Sequence, residues 1–235
     1  MNRRFAAALV AAPLAAMLSL PFAAHAQIVG PAGDGHFKDT SMLKPPAGQR
    51  VAIVVFEDLE CPACAGSHPI EYQVAQQYHV PVVRYDFPLQ MHVWSRDAAI
   101  FARYLQDKVN PSLADEYRTE VFRNQISIAS KDDLQNFTRR FMQQHGQAMP
   151  FVVDPGGVLA NQVQADYNLG LRLNVTRTPT IVVVTSNGHY ETVSGNETGS
   201  SDPNRLYTVV DAALKQTHGA APAATVRTAA HTTRR

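Results

Sequence analysis

The spacing of apolar residues predicts a strand, a helix and a second strand in the first part of the chain. Residues 49–56, QRVAIVVF, form a β-branched run that is apolar on both faces, which is typical of a buried central strand. A helical pattern extends from Pro62 to about Tyr78, and Pro62 suits the first turn because its missing N–H would be unpaired there. Residues 80–87, VPVVRYDF, predict the second strand.

A block of four amphipathic helices is predicted next, at about residues 95–173. Ser95 is a candidate N-cap of the first helix and Ser130 of the third, while Pro111 lies near the start of the second and Gly157 near the start of the fourth. Apolar residues three or four positions apart predict the inner faces. These residues are Ala98, Phe101 and Leu105, then Leu134, Phe137 and Phe141, then Leu159, Val163, Tyr167 and Leu171.

The last elements are predicted to be a β-hairpin and a helix. Residues 178–195, TPTIVVVTSNGHYETVSG, contain two strand-like runs on either side of Asn187-Gly188, which indicates a type I′ turn. Residues 202–216 predict an amphipathic helix. The order of elements predicts an α/β fold in which the first two strands are parallel, with a right-handed crossover, and the last two are antiparallel.

The two ends of the chain have the composition of segments outside the folded domain. Residues 1–26 contain two early arginines, an apolar stretch and the small residues Ala24 and Ala26, which together are typical of a secretory signal peptide. Residues 27–48 are rich in Gly and Pro and predict an irregular N-terminal arm. Residues 49–217 are expected to form the folded domain, and residues 218–235 to form a disordered tail.

Cleavage near Ala26 would place the mature chain in the periplasm or outside the cell, where disulfides form and persist. The formal net charge of +1 gives no electrostatic reason to expect a nucleic-acid partner. We expect a monomer.

The chain has two cysteines, Cys61 and Cys64, in the stretch LECPACAGSHP, and four interpretations compete. A structural disulfide would close a very small loop and contribute little loop entropy. A zinc site would need His68 or His92 to complete the ligand set. A haem attachment site would need a histidine where Ala65 stands.

The fourth interpretation, a dithiol redox centre, is favoured by the position of the pair. Cys61 directly follows a buried strand and precedes a helix, where free backbone N–H groups and the helix dipole stabilise a thiolate. Cys64 lies one turn further along, where it can resolve a mixed disulfide. We therefore predict that Cys61 is the nucleophile and Cys64 the resolving thiol.

Two motifs and the order of elements resemble the thioredoxin superfamily, and the helical block resembles its DsbA-like branch. The motifs are VVFEDLECPAC and TRTPTIVVV, within a resemblance that covers about residues 48–217. It implies a thioredoxin-like fold with a helical insertion between the second and third core strands. It also implies that Pro179 is a cis proline facing the cysteines, and that the backbone of Thr178 pairs with an extended substrate segment.

The sequence departs from this family beside the cysteines. Val55 stands where thioredoxin and DsbA carry a buried acid. We expect the nearby Glu57 and Asp58 to be solvated at the strand end, and the alternative is that one of them replaces the buried acid as proton acceptor for Cys64. Well-known DsbA proteins have Pro-His between the cysteines, whereas this chain has Pro62 and Ala63. Ala63 therefore supplies no side-chain donor to the thiolate.

A third acid, Glu60, directly precedes Cys61 and is expected to oppose an anionic sulfur. We predict a Cys61 pKa below that of a free thiol, yet less lowered than in the strongest oxidants.

The resemblance implies a thiol:disulfide oxidoreductase that oxidises exported cysteine-containing proteins. It needs no cofactor beyond the redox-active Cys61–Cys64 disulfide and no metal, and a quinone-linked membrane protein would reoxidise it. A disulfide reductase and an isomerase are alternatives within the same chemistry, although residues 27–48 are too short for an isomerase-type dimerisation domain. A chaperone and a Cu(I)-binding module are the alternatives that are not enzymes.

Overall fold

A computed structural model of the chain describes residues 43–194, 202 and 204–219. The predicted signal peptide, most of the N-terminal arm and nearly all of the C-terminal tail lie outside these residues. No helix in the described part of the chain is both long and apolar enough to cross a lipid bilayer.

The described residues contain four strands and six α-helices in the predicted order. The elements are β1 (Val51–Glu57), α1 (Pro62–Tyr78), β2 (Val82–Asp86), α2 (Ser95–Tyr104), a π-helical turn (Leu105–Val109), α3 (Pro111–Asn124), a 3-10 turn (Gln125–Ser127), α4 (Lys131–Gln144), α5 (Val158–Arg172), β3 (Thr180–Thr185), β4 (Tyr190–Ser194) and α6 (Arg205–Gln216). The helical block therefore interrupts the chain between β2 and β3, which confirms the predicted fold class.

The sheet has the strand order β2-β1-β3-β4. Strands β1 and β2 are parallel, while β3 is antiparallel to both β1 and β4. The predicted strand directions are confirmed. All seven residues of β1 are buried, as expected for a strand that has neighbours on both edges and helices on both faces.

Alternate residues of β1 belong to two separate layers because successive side chains point to opposite faces. Val51, Ile53 and Val55 pack with α1, α6 and one face of β3. Ala52, Val54 and Phe56 pack on the other face with Phe87 and the end of α5. A third apolar core, formed by α2, α3 and α4, includes both cysteines.

Helix capping agrees with the sequence at α4 but not at α2. The side chain of Ser130 accepts a hydrogen bond from Asp133 N, as predicted for an N-cap. Ser95 is instead the first residue of α2, and its N-cap Trp94 makes no side-chain cap. The carboxylate of Glu60, from a distant loop, accepts hydrogen bonds from the N–H groups of Trp94 and Ser95 and takes the place of a local cap.

The inner face of α5 differs from the prediction at its end. Leu159 and Val163 are buried as expected, but Leu171 is 40% exposed. The residue that faces the sheet is Gly170: a Cβ placed on it would lie 2.5 Å from the Phe87 ring. Glycine has no side chain and does not contribute to a hydrophobic pattern. The predicted inner face of α5 therefore ended at Leu171 instead of Gly170.

The hairpin is present, but its turn is not type I′. Gly188 has a φ of 86°, whereas Asn187 is not among the residues with positive φ. Gly188 N donates to the carbonyl of Thr185, and the Asn187 side chain accepts from the Thr185 hydroxyl. A type I′ turn needs positive φ at both central residues. The loop here has three residues, 186–188, between the paired Thr185 and His189, and it needs positive φ only at Gly188.

Because the Phe87 ring is buried and stacked on Tyr167, we expect Gly170→Ala to force a shift in the core. Urea unfolding should show a loss of about 1–3 kcal/mol in the free energy of unfolding. Gly66→Ala is the matched control, since Gly66 lies in a helix with open space around it, and it should be neutral or stabilising by up to about 1 kcal/mol. Equal effects of the two variants would contradict the proposed close contact.

Candidate dithiol active site

The two cysteines lie at the junction between β1 and α1. Cys61 is the N-cap of α1 and Pro62 its first residue, as predicted. The N–H of Cys61 donates to the carbonyl of Asp58 over 3.0 Å. Both cysteines are free thiols, 7% and 2% exposed respectively, so Cys61 is the more accessible of two largely buried sulfurs.

The Thr178–Pro179 peptide bond is cis, as predicted, and lies beside Cys61. The Cys61 thiol donates to the carbonyl of Thr178 over 3.4 Å. Residues 117 positions apart in sequence are thereby brought together at one sulfur. The structure thus joins the four residues that the sequence singled out as catalytic or substrate-binding: Cys61, Cys64, Thr178 and Pro179.

The pKa of Cys61 is lowered to about 5. The largest cause is a hydrogen bond from the Cys64 side chain, which outweighs the raising effect of burial. The Thr178 side chain and the backbone N–H groups of Cys64 and Ala63 lower it further. Ala63 therefore helps the thiolate through its backbone, although its side chain offers no donor.

The pKa of Cys64 is shifted in the opposite direction. Burial raises it well above the ordinary value, and the hydrogen bond to Cys61 and the Cys61 charge add to that effect. Asp58 N donates to the Cys64 sulfur over 3.5 Å and acts weakly against the shift. Near neutral pH the negative charge of the reduced pair therefore resides on Cys61.

The prediction that Glu57 and Asp58 are solvated is wrong, because they are only 2% and 1% exposed. Glu57 Oε1 accepts a hydrogen bond from Arg118 Nη1 over 2.9 Å, and the same nitrogen donates to Asp86 Oδ1 over 2.7 Å. Arg84 also lies 3.4 Å from the Glu57 carboxylate. Glu57 can be buried because guanidinium groups from β2 and α3 compensate its charge, and Asp58 because N–H groups of Glu60, Leu89 and His92 satisfy its carboxylate.

Asp86, which pairs with Glu57 across the two strands, is held ionised by Arg118 and by a further cation, Arg103. Burial would raise the pKa of Asp86, but the charges of Arg118 and Arg103 outweigh it and hold the pKa below its ordinary value. Arg103 also bridges to Asp166 on α5. This chain of charges ties β1 and β2 to α2, α3 and α5.

The loop before Cys61 is held by polar side chains on both sides. Asp58 accepts from Leu89 N and His92 Nδ1, and Glu60 accepts from the N-terminus of α2. The Glu60 carboxylate is thus bound to N–H donors, rather than standing free beside Cys61 as expected from the sequence.

Gln125 is a site residue that sequence reasoning missed. Its side-chain Nε2 donates to the carbonyls of Leu59 and Cys61 over 2.7 and 3.1 Å. It comes from the 3-10 turn after α3 and contacts the catalytic loop 64 residues earlier in the chain. No local pattern marks such a residue, because glutamine at a helix end is ordinarily solvated.

Two further polar residues of α1 are buried behind Cys64. His68 is buried, and its Nε2 lies 2.9 Å from the Thr119 hydroxyl. Burial and the charges of Arg84, Arg118 and Arg123 lower the pKa of His68 to about 3, so it is neutral. Its Nδ1 has no partner among the described residues.

Glu71 is the second of these residues, and only the Ser67 hydroxyl donates to it, over 2.8 Å. Burial is the main cause that raises the pKa of Glu71 to about 7, and the charge of Glu57 adds to it. Arg84 and Ser67 act in the opposite direction. Glu71 therefore holds a proton over much of the range below neutral pH.

Within the described residues, one set of three potential metal ligands has its donor atoms within 4.8 Å of one another: Glu57, His68 and Glu71. The set contains neither cysteine. The Glu57 carboxylate already faces Arg118 and Arg84, and the positive field that lowers the His68 pKa also opposes a cation. The donor set does not fit a resident metal, and His92, the other candidate zinc ligand, is bound to Asp58.

Comparison with known proteins agrees with this geometry. A family model described as Thioredoxin matches residues 47–195, which is more than half of the chain. The chain belongs to the thioredoxin family. No curated protein matches it by sequence.

Among solved structures, the fold of this thioredoxin-family chain is similar to that of DsbA-like proteins. Wolbachia pipientis alpha-DsbA1 has a TM-score of 0.60 at 14% identity, covering 73% of this chain and 89% of that one. Pseudomonas aeruginosa DsbA2 has a TM-score of 0.54 at 17% identity, covering 72% and 91%. A periplasmic thioredoxin-like protein from Salmonella enterica serovar Typhimurium has a TM-score of 0.51 at 15% identity, covering 73% and 86%.

The opposite pKa shifts of the two cysteines predict selective alkylation in the reduced thioredoxin-family protein. The rate of Cys61 alkylation should have a midpoint near pH 5, while Cys64 in a Cys61→Ala variant should remain unreactive up to about pH 9. Cys64→Ala should raise the Cys61 midpoint because it removes the largest cause of the lowered pKa. A wild-type midpoint above about 8 would contradict the assigned nucleophile.

The raised pKa of Glu71 predicts a loss of stability as pH rises. The folded state binds more protons than the unfolded state between the ordinary pKa of 4.5 and about 7, so the free energy of unfolding falls across that interval. Glu71→Gln should remove about 2–3 kcal/mol of this decrease, as measured by urea unfolding at pH 4.5 and pH 8.

The matched control is Glu116→Gln, at an exposed position. It should leave the pH dependence as in the wild type. An unchanged pH dependence in Glu71→Gln would show that the pKa of Glu71 is the same in the folded and unfolded states.

Proposed function

We propose that the protein is a thiol:disulfide oxidoreductase that forms disulfide bonds in exported cysteine-containing proteins. The observation that carries this proposal is the opposite shift of the two pKa values, lowered to about 5 at Cys61 and raised at Cys64. A stabilised thiolate favours the reduced dithiol over its disulfide, and an enzyme whose reduced form is stabilised is an oxidant. The favoured direction is therefore oxidation of the substrate.

The reaction begins when a substrate thiolate attacks the Cys61 sulfur of the Cys61–Cys64 disulfide. The disulfide breaks, its electron pair passes to Cys64, and Cys64 takes up a proton because its pKa is high. A second substrate thiolate then attacks the substrate sulfur of the mixed disulfide and expels Cys61 as a thiolate. The substrate loses two electrons and gains a disulfide, while the enzyme is reduced.

The backbone of Thr178 supports substrate binding at this position. Its carbonyl lies 3.4 Å from the Cys61 sulfur, directly before the cis Pro179 that immediately precedes β3. An extended substrate segment that pairs with Thr178 would place its cysteine at Cys61 by strand addition.

We assign the protein to the periplasm or the cell exterior, after signal-peptide cleavage near Ala26. The sequence of residues 1–26 supports this assignment, and the similar Salmonella protein is described as periplasmic. A membrane redox partner must accept two electrons from the reduced dithiol and restore the disulfide. The rival direction, disulfide reduction or isomerisation, is less favoured because a lowered Cys61 pKa makes the disulfide a stronger oxidant.

A trapping variant tests the reaction directly. In Cys64→Ala, the Cys61 thiolate can attack a disulfide of an exported protein, which breaks and leaves one substrate cysteine joined to Cys61 and the other as a thiolate. Cys64 is absent and cannot release the substrate, so these mixed disulfides should accumulate and disappear on reduction. The Cys61→Ala variant is the control and should form none.

Equilibration with glutathione buffers then decides the direction. An oxidase should have a reduction potential well above that of thioredoxin, which is about −270 mV, and a potential near that value would identify a reductase. Full activity of Cys61→Ala in cells would favour a chaperone, and stoichiometric copper in the reduced protein would favour a Cu(I) carrier.

A further inference from the structure

Asp58 is the residue whose backbone touches both cysteines. Its carbonyl accepts from Cys61 N over 3.0 Å, and its N–H donates to the Cys64 sulfur over 3.5 Å. Any movement of Asp58 would therefore change a hydrogen bond to each of the two cysteines.

The side chain of Asp58 determines where that backbone lies. Its buried carboxylate accepts from Glu60 N over 2.7 Å, from Leu89 N over 2.6 Å and from His92 Nδ1 over 2.8 Å. Two of these three donors belong to the segment between β2 and α2. His92 is the one side-chain donor among them, and it is held at the surface of the loop with 18% of its side chain exposed.

We propose that His92 and Asp58 form a positioning pair that holds the dithiol in its reactive arrangement, an inference that rests on the proposed function. Neither side chain is hydrogen-bonded to a cysteine sulfur in the described structure, so the pair acts through the Asp58 backbone. His92 satisfies one of the lone pairs of a buried carboxylate and joins the β2–α2 segment to the loop before Cys61.

The pair favours the reduced enzyme for an electrostatic reason. An N–H group stabilises a thiol or thiolate sulfur more than a disulfide sulfur, because the reduced sulfur is the better acceptor. Loss of His92 leaves the Asp58 carboxylate short of a donor inside the protein, which weakens the loop that presents Asp58 N to Cys64. A weaker hydrogen bond to the reduced sulfur makes the enzyme a weaker oxidant.

The direct test is the equilibrium constant for oxidation of glutathione by His92→Ala. We expect a fall of about fivefold relative to the wild type, the effect of losing one hydrogen bond. His92→Asn should restore most of the loss, because its Nδ2 occupies the position of His92 Nδ1 and can donate to Asp58. His145→Ala is the matched control, since His145 also faces a carboxylate, Glu116, but at an exposed position away from the dithiol. It should leave the constant unchanged.

Two outcomes would overturn the proposal. An equilibrium constant of His92→Ala equal to that of the wild type would show that the pair does not affect the dithiol. A fall in His92→Asn as large as in His92→Ala would show that the ring itself, rather than the hydrogen bond to Asp58, is required. If the wild type does not oxidise glutathione, the proposed function fails first, and this result is distinct from both.

A second measurement needs no variant and remains informative if His92→Ala does not fold. The amide proton of Asp58 should move downfield in the NMR spectrum when the wild-type protein is reduced, because its hydrogen bond to the Cys64 sulfur strengthens. An identical shift in the oxidised and reduced protein would contradict the proposed action through the Asp58 backbone.

Discussion

The guanidinium group of Arg118 binds two buried carboxylates and so joins the helical insertion to the sheet. Glu57 and Asp86 lie opposite each other at the ends of two parallel strands, and both are buried. Their carboxylates would repel each other strongly without a cation between them. Arg118 comes from α3 and donates to both, so it attaches the helical insertion to the edge of the sheet where α1 and the dithiol begin.

This attachment explains why the two cysteines of one short motif have pKa values shifted in opposite directions. The insertion covers Cys64, and burial raises its pKa. Gln125, from the same insertion, donates to the carbonyl of Cys61, and the Cys61 thiol donates to the carbonyl of Thr178, just before β3. Hydrogen bonds from the side chains of Cys64 and Thr178 and from the backbone of Cys64 and Ala63 lower the pKa of Cys61, whereas burial dominates at Cys64. The chemical difference between the two cysteines comes from which elements surround them, since the residues between them are only Pro62 and Ala63.

Most of the fold could be predicted from the chain alone because its elements are strongly periodic. The buried run of β1, the proline that begins α1 and the serine cap of α4 all depend on neighbours within a few residues. The errors have equally definite causes. Gly170 has no side chain to reveal the inner face of α5, and Asn187-Gly188 is compatible with more than one turn. Ser95 resembled a cap, but the donors there are bound by the distant Glu60.

The dithiol centre could be identified from the chain alone, because two cysteines lie at a strand–helix junction and a Thr-Pro pair precedes a later strand. These features are local, and the chemistry of a thiol at a helix N-terminus follows from position alone. The burial of Glu57 and Asp58 and the contact of His92 with Asp58 depend on how the distant parts of the chain pack. A charge is buried only where its partner lies, and His92 is 34 residues away from Asp58 and Arg118 is 61 residues away from Glu57.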